Sequence, residues 1–158
     1  MHTHNLATNL SENSSYQYQP VPASLTPAEP ESFMGYLRAD GRAAIRNELW
    51  IIPTVGCINE ICAQMAAGNA HLAQEHGLDG VYAFNHPYGC SQMGDDHETT
   101  KQFLAALANH PNAGGVLVVG LGCENNTMEQ VKAALGKWDD ERVRFIVCQE
   151  EADALSAA

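Results

Sequence analysis

Basic residues are scarce in this chain, and their scarcity limits its partners. Lysine and arginine number eight against nineteen aspartates and glutamates, so the formal net charge is −11. Nucleic acids and anionic membranes are polyanions that bind basic patches. We therefore expect neither nucleic acid nor membrane as a partner. An anionic substrate would need a local group of cations, and the one dense arginine group is Arg38, Arg42 and Arg46.

The sequence also lacks long apolar runs. A membrane-spanning helix needs roughly 20 consecutive apolar residues, and no segment approaches that length. Residues 1–15 are polar and contain no apolar segment of the kind found in secretory signals. These absences favour a cytoplasmic protein.

Paired-cysteine and nucleotide signatures are absent as well. The five cysteines are an odd number in a chain without an export signal, so disulfides are not expected. No two cysteines have the CxxC spacing of a structural zinc knuckle. The segment 120–124 (GLGCE) resembles a glycine loop, but the full GxGxxG fingerprint is missing, which disfavours a dinucleotide cofactor.

The first 32 residues differ in composition from the rest. They are rich in serine, asparagine and proline, so residues 1–32 are predicted to form an extended linker or arm. Residues 33–158 are enough for one domain. Four short apolar runs within them predict buried strands: Glu48–Val55, Gly80–Asn85, Gly115–Leu121 and Val143–Cys148.

Helical patterns fill the intervals between these runs. They cover Asn59–His76, Asp96–Asn109 and Asn126–Leu135, and residues 149–158 resemble the start of another helix. Alternating strands and helices predict an α/β fold with right-handed crossovers. We expect a three-layer, Rossmann-like or flavodoxin-like open parallel sheet with helices on both faces. Ligands bind such sheets at the carboxyl ends of the strands.

Cysteines follow the predicted strands. Cys57, Cys90 and Cys123 each come directly after a glycine in the turn that leaves a strand, and Cys148 closes the last strand. Because these strand ends share one edge, three thiols are expected to converge there and to bind a soft or borderline metal such as iron, or to act in catalysis. The alternative is that each is a small buried apolar side chain. Cys62, inside a helix, is predicted to be such a residue.

Histidines offer further metal ligands. His86 follows the second strand and is predicted to act with Cys90 in catalysis, as a general base, or to bind the metal. The alternative is a hydrogen-bonded loop histidine. In an extended segment His2 and His4 would point to the same side and could share one metal ion. Without such order they would have no role.

The arginine-rich segment before the first strand is a candidate anion site. Arg42, Arg46 and Asn47 are predicted to bind a substrate carboxylate, since the guanidinium fork matches carboxylate geometry. The alternative is a group of solvated charges with an ordinary salt bridge.

Several long motifs resemble one enzyme family. The segments HTHNLATNLS, RNELWIIPTVGC, NHPYGCSQMGDDH and GLGCENN are similar to those of the altronate/galactarate dehydratases, and closest to the altronate dehydratase branch. The resemblance implies an iron-dependent hydro-lyase that converts D-altronate to 2-dehydro-3-deoxy-D-gluconate and water. It also implies that this chain corresponds to the middle domain of a longer dehydratase, without the domains that flank it on both sides.

The resemblance therefore makes a sugar-acid dehydratase the expected function. Fe²⁺ is the expected cofactor, an aldonate or aldarate the expected substrate, and His2, His4, Cys57, Cys90 and Cys123 the predicted metal ligands. The alternatives are a non-catalytic binding or scaffold module that needs a separate catalytic domain, and a thiol enzyme that uses Cys57 at a helix N-terminus. The oligomeric state stays open, with a homo-oligomer as one alternative.

Overall fold

Strands and helices alternate along the chain after a small antiparallel hairpin. The structure is a computed structural model that describes residue 17, residues 19–21 and residues 32–158. The strands are β1 (Tyr36–Leu37), β2 (Ala43–Ala44), β3 (Glu48–Pro53), β4 (Gly80–Ala83), β5 (Ala113–Gly120) and β6 (Val143–Val147). The helices are α1 (Asn59–Gly68), α2 (Leu72–His76), α3 (Gly94–Ala108), α4 (Met128–Leu135) and α5 (Ala154–Ala157), with 3₁₀ turns at Gly56–Ile58 and Cys148–Glu150.

The four longer strands form one parallel sheet in the order β4-β3-β5-β6. From one edge of the sheet to the other, these strands are therefore the second, first, third and fourth of the four in chain order. This is the flavodoxin-like order, and the direction of winding reverses between β3 and β5. A crevice forms at such a reversal, outside the carboxyl ends of the strands. The predicted open parallel α/β sheet is confirmed.

Both faces of the sheet are covered, which explains the uninterrupted apolar strands. Successive side chains of a strand point to opposite faces, so Ile52 and Val118 pack under α3 and α4 while Ile51 and Val119 pack under α1. All four are almost fully buried. The helices thus form the two outer layers of the predicted three-layer arrangement.

Two helices differ in detail from the sequence patterns. The predicted helix Asn59–His76 is broken into α1 and α2 at Asn69, whose Nδ2 donates to the carbonyl of Met65 at 2.9 Å and ends the first helix. The N-cap of α3 is Met93, without a side-chain cap. Asp95 and Asp96 therefore lie inside the first turn, where they face the positive end of the helix dipole instead of capping it.

Three helices begin at the edge of the sheet where the strands end. After β3, β4 and β5 the chain turns into α1, α3 and α4, so three helix N-termini meet the strand carboxyl ends. Their dipoles make this edge locally favourable for anions despite the net charge of −11. Among the described helices none is long and apolar enough to cross a membrane. Most of the predicted linker 1–32 lies outside the described residues, so its extended form remains a prediction.

Candidate functional site

Thiols from three separate turns meet at the carboxyl edge of the sheet. Cys57 lies in the 3₁₀ turn after β3, and Cys90 lies in the turn between β4 and α3. Their Sγ atoms are 4.0 Å apart. Cys123 follows β5 and is near enough for its charge to act on Cys90. All three are exposed, whereas Cys62 is fully buried in α1, as predicted.

The contact between Cys57 and Cys90 depends on how the turn after β4 is held. Asn59, the first residue of α1, donates from Nδ2 to the carbonyl of His86 at 2.9 Å and accepts from the His86 N–H at 3.3 Å. The N–H of Gly56 donates to the carbonyl of Tyr88 at 2.7 Å. These bonds tie the segment before Cys90 to the segment around Cys57.

Two glycines permit this close approach. A Cβ on Gly56 would lie 2.6 Å from the carbonyl oxygen of His86. Gly89 has φ of 145° and lies so close to Val55 that a Cβ would collide with its side chain. Side chains at these positions would push apart the two turns that carry Cys57 and Cys90.

His86 supports the turn with its ring as well as its backbone. Nε2 lies 2.8 Å from the carbonyl oxygen of Pro53, and Nδ1 accepts the N–H of Tyr88 at 3.2 Å. Because a carbonyl only accepts, Nε2 carries the proton and Nδ1 is the engaged acceptor. Neither ring nitrogen is free in this arrangement, which favours a positioning role, and the role of general base remains a prediction.

Glu124 organises the third turn. Its carboxylate accepts from Thr54 Oγ1 at 2.6 Å, from the N–H of Leu121 at 3.0 Å and from the N–H of Gly122 at 2.6 Å. Burial alone would raise the pKa of this carboxyl, but these hydrogen bonds outweigh it and the pKa is lowered. Glu124 therefore joins the ends of β3 and β5 at the reversal point and fixes the turn that bears Cys123.

Asn126 lies beneath the same turn. It is fully buried, and within the described residues neither its Oδ1 nor its Nδ2 has a hydrogen-bond partner. Buried amides are normally paired. The unpaired side chain of Asn126 would therefore stabilise a water molecule or another polar group placed next to it.

Cys90 holds its proton more tightly than an isolated thiol. Its hydrogen bond with Cys57, its partial desolvation and the charges of Cys57 and Cys123 all raise its pKa. A thiol with a raised pKa is a weaker nucleophile at neutral pH. Cys90 is therefore a weak nucleophile in this arrangement, whereas a bound cation would favour its thiolate.

A cavity opens beside the Cys90 turn. Its volume is about 630 Å³, and it lies between that turn and α3. His86, Tyr88, Asp96 and Thr99 supply polar groups, and apolar side chains such as Phe103 form much of its wall. Among the described residues that line it there is no lysine or arginine. These residues can therefore hold hydroxyl groups and a carbon chain, but they offer no side-chain cation to a carboxylate.

The comparisons with known proteins agree with these motifs. The family model described as "D-galactarate dehydratase/Altronate hydrolase, second domain" matches residues 35–158. The chain belongs to this family. Its relatives include the altronate dehydratases of Escherichia coli strain K12, 47% identical over 164 residues, and of Bacillus subtilis strain 168, 46% identical over 162 residues. Each match covers 99% of this chain and 32% of the relative.

A more distant relative of the family carries a different name. The (2R)-sulfolactate sulfo-lyase subunit beta of Chromohalobacter salexigens is 33% identical over 90 residues, which cover 57% of this chain and 21% of that protein. No solved structure shows a significant match to the chain. The chain thus spans about a third of the length of the altronate dehydratases that it resembles.

The predicted substrate-binding residues lie away from the thiols. Arg42, Arg46 and Asn47 all precede β3, at the amino edge of the sheet, whereas Cys57 follows the same strand. The six residues of β3 span about 20 Å at 3.3 Å per residue. The structure therefore does not bring these residues to the thiols.

Each of these three residues also has a partner within the chain. Arg42 pairs with Asp40 at 2.6 Å, and Arg46 pairs with Glu48 at 3.0 Å. The side chain of Asn47 accepts from Arg38 at 2.9 Å. Their role in substrate binding remains a prediction.

Cysteine thiols are a suitable type of ligand for iron, but the described residues do not bring enough ligands together to hold it. Two sulfurs on one tetrahedral ion, each about 2.3 Å from it, are roughly 3.8 Å apart, close to the 4.0 Å between Cys57 and Cys90. In the described part of the chain, however, no group of three His, Cys, Asp or Glu side chains is arranged to hold a metal ion. His2 and His4, predicted as further ligands, lie outside the described residues.

The sequence patterns missed the residues that hold the turns. Asn59, Thr54 and Glu124 hydrogen-bond across separate segments of the chain and so set the positions of the cysteines. The sequence contains some indication of two of these residues, since Asn59 begins a helix directly after the VGC turn and Glu124 follows Cys123 in the GLGCEN segment.

Proposed function

We propose that this chain is a domain of a sugar-acid dehydratase that converts D-altronate to 2-dehydro-3-deoxy-D-gluconate and water with the help of iron. The observation that carries the proposal is the contact of Cys57 and Cys90 at the winding reversal of the sheet, with Cys123 beside them. The family membership supports the same reaction type.

Dehydration of an aldonate removes a proton next to the carboxylate and a hydroxyl group from the neighbouring carbon. Cys57 and Cys90 would hold the iron, which supplies a Lewis acid for the negative charge that develops when the proton leaves. The substrate chain and its hydroxyl groups would lie in the cavity beside Cys90. Asp96 is a carboxylate in that cavity that could take up the proton, while His86 positions the turn.

The local field supports an anion at this edge in spite of the net charge. The N-termini of α1, α3 and α4 direct their partial positive charges to the strand ends. None of the described residues that line the cavity is a lysine or an arginine, which favours an aldonate, with one carboxylate, over an aldarate, with two.

A chimaeric enzyme tests the proposal. The segment of the E. coli altronate dehydratase that matches this chain, 32% of that protein, would be replaced by this chain. Purified under reducing, anaerobic conditions, the chimaera should bind iron and dehydrate D-altronate faster than galactarate. Cys57→Ser and Cys90→Ser should each lower turnover by about a hundredfold or more and lower iron content with it.

Cys62→Ala is the matched control, because it removes a buried thiol on α1 that lies away from the edge. It should keep both iron and turnover. A folded chimaera that loses neither iron nor turnover in the Cys57 and Cys90 variants contradicts the proposed role of the thiols. A folded chimaera with no turnover at all contradicts the enzyme assignment and leaves the binding or scaffold module.

A further inference from the structure

Half of the basic residues of the chain surround one pocket at the amino edge of the sheet. Of the eight lysines and arginines, Arg38, Arg42, Lys137 and Arg142 line a cavity of about 660 Å³ between the hairpin and the segment after α4. Three carboxylates also line this cavity, so the four cations leave its lining with a net charge of +1 in a chain whose net charge is −11. The cavity lies at the opposite end of the sheet from the thiols.

Among the described residues no carboxylate forms a salt bridge with Arg38. Its Nε donates to the carbonyl of Pro111 at 2.6 Å, its Nη1 to Asn47 Oδ1 at 2.9 Å and its Nη2 to the carbonyl of Arg46 at 3.1 Å. All three acceptors are neutral. They hold the guanidinium rigidly in place while its full positive charge remains available to the pocket.

The other cations show a similar lack of ion pairs. Arg142 donates from Nη1 to the carbonyl of Ala113 at 3.2 Å, and within the described residues neither Arg142 nor Lys137 forms a salt bridge. Arg42 alone is paired, with Asp40. Three of the four cations thus have no salt-bridge partner among the described residues, and like charges at close range repel one another.

The repulsion is visible at Arg142. Burial lowers the pKa of its guanidinium and the charges of Arg42 and Arg38 lower it further, while the charges of Asp40 and Asp139 oppose this shift. An anion in the pocket would act in the same direction as these two carboxylates. The pocket is thus arranged as a site that is stabilised when a negative ligand fills it.

The acidic residues of the pocket narrow the chemistry of the ligand. Asp40, Asp139 and Glu141 also line it, and Trp138 contributes an indole. Carboxylates repel a bare polyanion but accept hydrogen bonds from hydroxyl groups. A ligand that carries both acidic groups and hydroxyl groups satisfies the cations and the carboxylates together.

We propose that this pocket binds a small hydroxylated dianion, either a sugar phosphate or a sugar dicarboxylate, at the end of the sheet opposite to the thiols. Both of these ligand classes carry two negative charges on a polyol chain. The proposal does not depend on the proposed dehydratase reaction, because none of the residues that line this pocket belongs to the thiol edge.

Titrations of the full chain test this site. Glucose 6-phosphate, galactarate and inorganic phosphate would be added separately, with binding heat and tryptophan fluorescence as readouts. Trp138 lines the pocket, whereas Trp50 is buried in the core, so the fluorescence change should vanish in Trp138→Phe while the heat persists. One of the two sugar dianions should bind more tightly than phosphate, and its affinity should fall as salt rises.

Charge variants locate the binding. Lys137→Gln and Arg42→Gln should each weaken binding on the order of tenfold, because a charge-assisted contact is lost. Lys101→Gln, which removes the same charge from α3 outside the pocket, should bind like the wild type. Equal affinities in Lys137→Gln, Arg42→Gln and Lys101→Gln would overturn the assignment, as would the absence of saturable binding of either sugar dianion at millimolar concentration. Preference for glucose 6-phosphate or for galactarate identifies which source supplies the ligand.

Discussion

A buried carboxylate is costly unless its oxygens accept hydrogen bonds, and Glu124 shows how the cost is offset. It is 5% exposed, yet three donors from two different strand ends converge on it. The ionised form is the one that these donors stabilise. A residue that never reaches the exposed edge thereby determines where the Cys123 turn lies.

Replacing Glu124 by glutamine should destabilise the chain in a pH-dependent way. The amide keeps one acceptor oxygen but presents a donor to the N–H of Gly122, so we expect a loss of about 1–3 kcal/mol in the free energy of unfolding at neutral pH. Because the folded pKa of Glu124 is lowered from 4.5, its stabilisation is present above that value and is lost as the pH falls through the folded pKa. Urea unfolding of both proteins between neutral and strongly acidic pH measures the difference.

The control for this prediction is Glu129→Gln, which removes a carboxylate from the exposed side of α4. Its stability should stay close to that of the wild type across the same pH range. A gap between Glu124→Gln and wild type that persists unchanged at the acidic end would show that the ionised carboxylate is not the stabilising species.

At the scale of the element, the sequence predicts much of the architecture. Apolar runs and helical periodicity indicate the strands and helices within a few residues, and the parallel order places Cys57, Cys90 and Cys123 at one edge. The same rule places Asn47, which directly precedes β3, at the other edge. The arginines near Asn47 are therefore remote from the thiols, because they precede the strand that Cys57 follows.

The side-chain partners could not be read from the pattern. Whether the ring of His86 is free or engaged depends on the path of the turn after β4, and that path depends on Gly89 packing on Val55. Such contacts join segments that are far apart in sequence. No local periodicity encodes them, so the edge at which the cysteines lie was predictable but the hydrogen-bond partners of His86 were not.

The link between α1 and the turn after β4 can be tested through Asn59. Its side chain makes two hydrogen bonds to the backbone of His86, so Asn59→Ala should lower the free energy of unfolding by about 1–3 kcal/mol. It should also loosen the pair Cys57 and Cys90. Phenylarsine oxide, which needs two neighbouring thiols, should bind the wild-type chain more tightly than the variant.

A matched asparagine separates the local effect from general instability. Asn69→Ala removes a side-chain bond of similar length, from Nδ2 to the carbonyl of Met65, at the far end of α1. It should lower stability but leave arsenical binding unchanged. If both variants weaken arsenical binding equally, Asn59 does not set the distance between the thiols.

On the scale of the whole molecule, charge is distributed unevenly along the axis of the sheet. Four of the eight basic residues surround the amino-edge pocket, while helix dipoles are the main positive feature at the carboxyl edge. Elsewhere acidic residues predominate. Salt should consequently have opposite effects: it weakens anion binding in the basic pocket and relieves repulsion over the rest of the surface.

The repulsion predicts that the chain becomes more stable as salt is added. With a net charge of −11, the melting temperature should rise with sodium chloride and level off near 0.15 M, where the Debye length is about 8 Å. A double variant, Glu150→Gln with Glu151→Gln, converts two exposed carboxylates to amides and changes the net charge from −11 to −9. Its melting temperature should be higher at low salt and should respond less to added salt.

Calorimetric melting of both proteins over the same salt series checks this prediction. A melting temperature that falls with salt, or an equal response in the two proteins, would show that specific ion pairs outweigh the overall repulsion.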